Sequence, residues 1–350
     1  MPASATFFIR RFPVSSHAVR RLILIGLMVA IAGLITSINP VFLTMGNLQK
    51  LFQEAAQVGI IAVGFTLVMI TAGIDMSIGG IVAITAMVSI NILSYTKIPV
   101  PVFVPLLLLV GAFVGFINGY LITKFKLPEF IVTLAVRSVL SGLALVIAVK
   151  DSLGFVQNVY IQNDQYLWFG TQTFGSIYRT TIAFVILGVA TQLFIKNTRA
   201  GTNIYAAGAN PVAAKLSGVN TERTVLGVYV FSGICASMAA IFISSRMMTA
   251  MPELGIGSEM DVIASVVIGG TPFTGGVGDI WGTMLGSLFL ALIKNGILKT
   301  GISPWYQPIA IGGIIVVTVI VDVWQKKAHE KLTARAKLRK LDAEARKSAA

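Results

Sequence analysis

Charge is scarce in this chain. Asp, Glu, Lys and Arg make up 12% of its 350 residues while 55% are hydrophobic, whereas a soluble domain carries roughly a quarter charged residues. That composition belongs in lipid. Cysteine is scarcer still: Cys235 stands alone, which excludes disulfides and cysteine metal sites within one chain. The two histidines, His17 and His329, lie in the terminal tails, so histidine chemistry inside the membrane is excluded, and no metal or cofactor is expected. Gly-Lys-Ser/Thr never occurs, so the chain encodes no nucleotide-binding loop. Acid is short relative to base, giving a net charge of +13, but nine of the 27 Lys and Arg follow Asp322 and four precede Leu22. Basic flanks of this kind stay on the cytoplasmic side and attract anionic lipid headgroups. With no aromatic-basic interleaving, nucleic acid is not a partner.

What is present is a series of apolar runs. Spanning hydrocarbon takes about 20 apolar residues. Ten segments qualify: Leu22 to Ile38, Ala55 to Thr71, Gly80 to Leu93, Val100 to Ile122, Phe130 to Val149, Thr180 to Ile195, Thr224 to Phe242, Met260 to Ile268, Trp281 to Leu298 and Pro304 to Val321. The third and eighth are short and glycine-flanked, the pattern of broken helices. The expectation is an all-α polytopic membrane protein: a basic N-terminus 1–21, one transmembrane domain 22–321 and a basic tail 322–350. The first run continues without an Ala-x-Ala-like site, so it reads as a retained anchor and not a cleaved signal. Placing both ends in the cytoplasm puts the basic loops Lys124 to Lys126 and 196–223 inside. The connection Lys150 to Arg179 then faces outward, with Tyr160, Tyr166 and Trp168 suited to an interface. Met45 to Glu54 is polar enough for a separate surface helix, with Asn47 a candidate cap.

The halves echo each other. Asn118-Gly119, Leu121 and Pro128 correspond to Asn295-Gly296, Leu298 and Pro304, and Gly73-Ile74-Asp75-Met76-Ser77 corresponds to Gly255-Ile256-Gly257-Ser258-Glu259. Five spans per half would invert the second copy, a recurrent transporter design; chance matching among glycine-rich helices is the bland alternative. In the long basic loop, Gly208-Ala209-Asn210-Pro211-Val212-Ala213-Ala214-Lys215-Leu216-Ser217-Gly218 reads as a short bounded helix. Asn210 is its cap, Pro211 its first residue and Gly218 its left-handed stop. Such a knob suits a socket on another protein, or is simply a well-capped loop.

This loop, with Ile204-Tyr205-Ala206 before it and Val219-Asn220 after it, is similar to the cytoplasmic loop of ribose-type ABC permeases. Thr71 to Gly79 and Asp261 to Thr271 resemble the same family. The resemblance implies the membrane subunit of a bacterial monosaccharide importer in the inner membrane. It also implies a homodimer, a cytoplasmic ATPase with two nucleotide-binding halves and a periplasmic sugar-binding protein. The knob would be the coupling helix, with Gly208, Asn210, Ala213, Ala214, Ser217 and Gly218 at the ATPase. Met76, Ile78, Ala209 and Pro272-Phe273 depart from the family pattern.

Asp75 at membrane depth costs several kcal/mol unless paired, hydrated or protonated. It either shapes a break beside the path or is an ordinary cap, with Ser77 placed to bond the freed amides. Glu259 and Asp261 open the eighth segment, where the helix dipole alone could account for them. Arg137, inside the fifth span, is expected to face inward toward an acid or water. Gly73, Gly79, Gly269, Gly270 and Gly275 are the candidate helix-break glycines. Thr66, Asn91, Asn118, Asn295, Trp305 and Gln307 could line a sugar path, or join helix to helix. Gly276-Val277-Gly278-Asp279 matches the Gly-x-Gly-Asp of intramembrane proteases, but the required Tyr-Asp partner is absent. The rival reading is an ion-coupled secondary transporter using Asp75; ABC permeases for nucleosides, branched-chain amino acids or a signalling furanose are architectural relatives.

Overall fold

Hydrocarbon offers no partner to a backbone amide, so each segment must close its own hydrogen bonds, and this chain does so as helices. The computed structural model describes residues 16–95, 98–149, 159–321 and 324. The basic tail with His329, the extreme N-terminus, Lys150 and Asp151, and the side chain of His17 lie outside that description.

Thirteen helices run through the described residues: α1 (Ser16–Ile38), α2 (Met45–Ile70), α3 (Ile78–Tyr95), α4 (Val100–Phe125), α5 (Glu129–Val146), α6 (Asp164–Thr171), α7 (Arg179–Asn197), α8 (Arg199–Ala209), α9 (Pro211–Leu216), α10 (Thr221–Met247), α11 (Ser258–Ile268), α12 (Ile280–Lys299) and α13 (Pro304–Val321), which opens with a tight turn. All ten expected segments are helical. Eight helices are long and apolar enough to cross a membrane; α3 carries a shorter apolar stretch and α11 is shorter still. The chain is an all-α polytopic membrane protein. At the end of the bundle away from α9, β1 (Val159–Tyr160) pairs with β4 (Thr249–Ala250), and β2 (Thr173–Phe174) pairs with β3 (Ile177–Tyr178).

Two local expectations fail. Met45 to Glu54 is no separate surface helix, because it continues unbroken into α2. Asn47 is buried and caps nothing: its Nδ2 donates to the Asn295 Oδ1 at 2.9 Å and to the Phe42 carbonyl, while Asn295 returns a bond at 3.2 Å. Tyr166 is not an interfacial aromatic. It is fully buried, its hydroxyl held by Ser89 and Ser244, so α6 plugs into the bundle. Trp168 does stay half-exposed, with the Arg179 guanidinium 3.8 Å above its ring.

The packing follows the echo between halves: α4 lies along α10, and α2 along α12, with α2 and α10 in contact at the centre. Glycine sets how close these pairs come. A Cβ on Gly111 would strike the Gly233 carbonyl, and one on Gly233 would strike that of Gly111; Gly115 and Gly119 meet the Tyr229 and Leu226 backbone further along. Gly269, Gly282 and Gly286 do the same for α11 against α12. In lipid, where apolar burial does not drive helices together, such backbone-to-backbone contact is what holds them.

Gly233→Leu should therefore force α4 and α10 apart and cost about 3 kcal/mol, the upper range for overpacking. Gly26→Leu on α1, where a Cβ meets nothing, should leave stability unchanged; thermal unfolding in detergent compares the two.

Candidate functional site: two helix starts inside the bundle and the knob above them

Helix α2 ends in a Schellman turn. The Gly73 amide donates to the Val68 carbonyl and the Ala72 amide to that of Met69, with Ala72 in the left-handed position at φ 64°, where glycine is usual. The chain then turns back into the bundle. The carboxylate of Asp75 is fully buried: Oδ1 accepts from the Ser77 amide at 2.9 Å and its hydroxyl at 2.6 Å, and Oδ2 accepts from the Ser232 hydroxyl at 3.0 Å. The capping thus runs opposite to expectation. Asp75 satisfies the Ser77 amide, and Ser77 serves no freed amide with its side chain. Asn118 joins the cluster, Nδ2 donating to the Ser77 hydroxyl at 2.8 Å; among the described residues its Oδ1 has no donor. Ser232 lies about 16 Å along a helix about 40 Å long, at 1.5 Å rise per residue, so Asp75 sits well inside the bundle. Helix α3 begins there and not at the surface.

Helix α11 begins beside it. A Cβ on Gly79 would collide with the Glu259 carboxylate and the Gly255 carbonyl, so the starts of α3 and α11 touch. Glu259 is 1% exposed and sits in the first turn of α11, where a helix N-terminus favours negative charge. Its Oε1 also lies 2.9 Å from Arg137 Nε on α5. Arg137 faces inward to an acid, and Glu259 has more than the helix dipole to hold it. Asp261, two residues on, pairs with Lys294 of α12 at 2.5 Å.

The knob is seated on the same region. Asn210 Oδ1 accepts from the Ala213 amide at 3.0 Å, Pro211 opens α9, and Gly218 closes the loop at φ 84°. Behind it, a Cβ on Gly208 would strike the Ile70 carbonyl and the Gly276 amide, which are themselves bonded at 2.8 Å. The Tyr205 hydroxyl donates to the Gly278 carbonyl at 2.9 Å; burial, then the Asp279 charge, raise this phenol above its ordinary range, so it remains a donor. Gly275 presses on Ala72. Asp279 caps α12 and pairs with Arg21 of α1. The end of α2, the turn 269–279 and the base of the knob form one backbone-to-backbone joint.

The nominated residues differ in what they present. Gly208 and Ala214 are buried and present nothing outward; Ala213 is exposed, and the large exposed apolar side chains of α9 are Val212 and Leu216, at 69% and 85%. Their missing polar partners in a surface loop were the available signal. Asn91 ties α3 to the Ile147 carbonyl after α5, and Asn295 ties α12 to α2. Thr66 bonds the Thr283 hydroxyl at 2.7 Å. Trp305, 85% exposed on the outside of the chain, lines no interior path. Gly79 lies in the first turn of α3 and is a contact glycine, not a break; Gly269 caps α11, and Gly270 and Gly275 are left-handed turn residues. Sequence reasoning missed the face of α5 flanking Arg137, where Ser138 and Gly142 are exposed and Ser141 is half-exposed.

A polytopic bundle with interrupted helices and an outward knob defines a membrane transport subunit. The chain belongs to the family described as branched-chain amino acid transport system permease components, whose model matches residues 47–319. It is 35% identical over 315 residues to the ribose import permease of Escherichia coli (strain K12), covering 89% of this chain and 96% of that one. It is 34% identical over 296 residues to the fructose import permease of Bifidobacterium longum (strain NCC 2705), covering 80% and 84%. To a probable ABC transporter permease of Escherichia coli (strain K12) it is 34% identical over 305 residues, covering 85% and 89%. No solved structure matches it. The chain is a transport permease subunit, not an enzyme.

Removing Arg137 strands a buried carboxylate, which costs about 3–5 kcal/mol. Arg137→Leu should be destabilised on that scale, and Arg137→Leu with Glu259→Leu should recover most of the loss, measured as a double-mutant cycle in detergent unfolding.

Proposed function

We propose that this chain forms half of the translocation path of an ATP-driven importer for a neutral monosaccharide. Two relatives are named for ribose and fructose. The face of α5 supports that cargo: it offers the hydroxyls of Ser138 and Ser141 beside an Arg137–Glu259 pair already neutralised within the chain. Hydroxyl donors and acceptors without net charge suit a sugar, while a zwitterionic amino acid would call for unpaired charge on both ends.

A second copy would complete the path by facing this α5 surface, a periplasmic binding protein would deliver the sugar, and the knob end would face the cytoplasm. ATP hydrolysis belongs to a partner protein. The observation that carries this reading is α9: a rigidly capped helix presents Val212 and Leu216 outward while its base is locked to Ile70 and Gly276. A push on the knob reaches the end of α2 and the turn before α12 without slack. The end of α2 leads into the Asp75 turn that opens α3, and the turn before α12 follows α11, so closure of the ATPase would rock these helices and alternate access to the α5 face.

Reconstituted with its ATPase and binding protein, Leu216→Asp should insert normally yet reduce sugar-stimulated ATPase activity about thirtyfold, as loss of a buried apolar anchor does; unchanged stimulation refutes the knob assignment. Ser138→Leu with Ser141→Leu should stop sugar uptake while leaving ATPase stimulation in place. Sugar uptake by the chain alone under an ion gradient would instead support a secondary transporter.

A further inference from the structure

A cleft of about 580 Å³ opens between α7 and α10 beneath α8, with no residue of α5 in its lining. Its size falls within the roughly 300–1,000 Å³ of small-molecule sites. The inner wall is apolar: Leu67 of α2, Leu187 and Phe194 of α7, Ile204 of α8, and Val228 and Phe231 of α10. Apart from Thr191 on the α7 wall, polar groups gather at the knob end, where Asn203, Arg223 and Thr224 line the mouth. Arg223 is in the first turn of α10; none of the ion pairs among the described residues involves it. Arg199 is exposed one turn before Asn203 on the same face of α8, and Lys196 is in the last turn of α7. At the floor, a Cβ on Gly227 would meet nothing within 4 Å. The cleft is long-walled in hydrocarbon and cationic at one end only.

We propose that this cleft is a seat for one anionic phospholipid, its acyl chains along α7 and α10 and its phosphate at Arg223. Basic pockets between spanning helices near one membrane face recognise acidic headgroups in this way. Charge argues against the chain's own ends as occupants. The tail after Asp322 carries nine Lys and Arg, and the segment before Leu22 carries four, which Arg223 and Arg199 would repel. A bound lipid would wedge α7 against α10 at the root of α8, the arm that carries the knob. The inference rests on the membrane placement of the bundle and not on the cargo, so it stands or falls separately from sugar transport.

The test uses the purified full chain in detergent, titrated with phosphatidylglycerol and, separately, with phosphatidylcholine, counting bound lipids by native mass spectrometry. One phosphatidylglycerol should be retained in preference to phosphatidylcholine. Arg223→Gln should weaken that retention about fivefold, the effect of removing one cation from an acidic lipid surface, without changing phosphatidylcholine. Gly227→Phe fills open space, so it should unfold at the wild-type temperature yet lose the bound lipid. Equal retention of the two lipids, or wild-type retention in Arg223→Gln, overturns the proposal. So does an oxidatively linked dimer of Gly227→Cys, since Cys235 is buried and only a second copy seated in the cleft could join through position 227.

Discussion

A helix that begins away from water leaves its first amides without partners, and this bundle contains two such beginnings in contact. The solution at α3 is Asp75, whose carboxylate takes the Ser77 amide and two hydroxyls; at α11 the buried acid is Glu259, in the first turn of the helix and paired with Arg137. Much of the interior follows from accommodating these two acids. Asn118 is drawn to Ser77, α10 supplies Ser232, and α5 must approach closely enough for Arg137 to arrive. Gly79 is required because any side chain there would occupy the space of the Glu259 carboxylate.

The same constraint explains how a signal at the surface could reach the interior. Helix–helix contacts made through side chains can slide, whereas the contacts among Gly208, Ile70, Gly275, Gly276 and Ala72 are between backbones and leave no room for rotamers to absorb a displacement. The knob, the end of α2 and the turn preceding α12 therefore behave as one body. In the proposed importer such a body would carry closure of the ATPase to the pathway.

Much of this was legible beforehand because membrane helices obey simple rules. Length and hydropathy locate all ten segments, and the shortness of the third and eighth marks the interrupted pair. The knob was readable to its caps, because Asn210, Pro211 and Gly218 act through local backbone geometry. Less legible were contacts spanning the chain. Asn47 looked like a cap and is the partner of Asn295; Tyr166 looked interfacial and is core; Ser77 was read as bonding the freed amides when its own amide is the one served. Trp305 and Ala214 had suitable chemistry and the wrong direction. Val212 and Leu216 were hidden by being apolar in a chain where apolar residues are the background.

The sequence by itself determined the class of protein, the ten apolar segments, the two interruptions and the knob, since each depends on the composition or spacing of neighbouring residues. Only the tertiary structure decided that the two interruptions meet, that Arg137 belongs to Glu259, and that the base of the knob rests on the end of α2. Those facts depend on which helices become neighbours, and glycine-permitted backbone contact between residues far apart in sequence settles that.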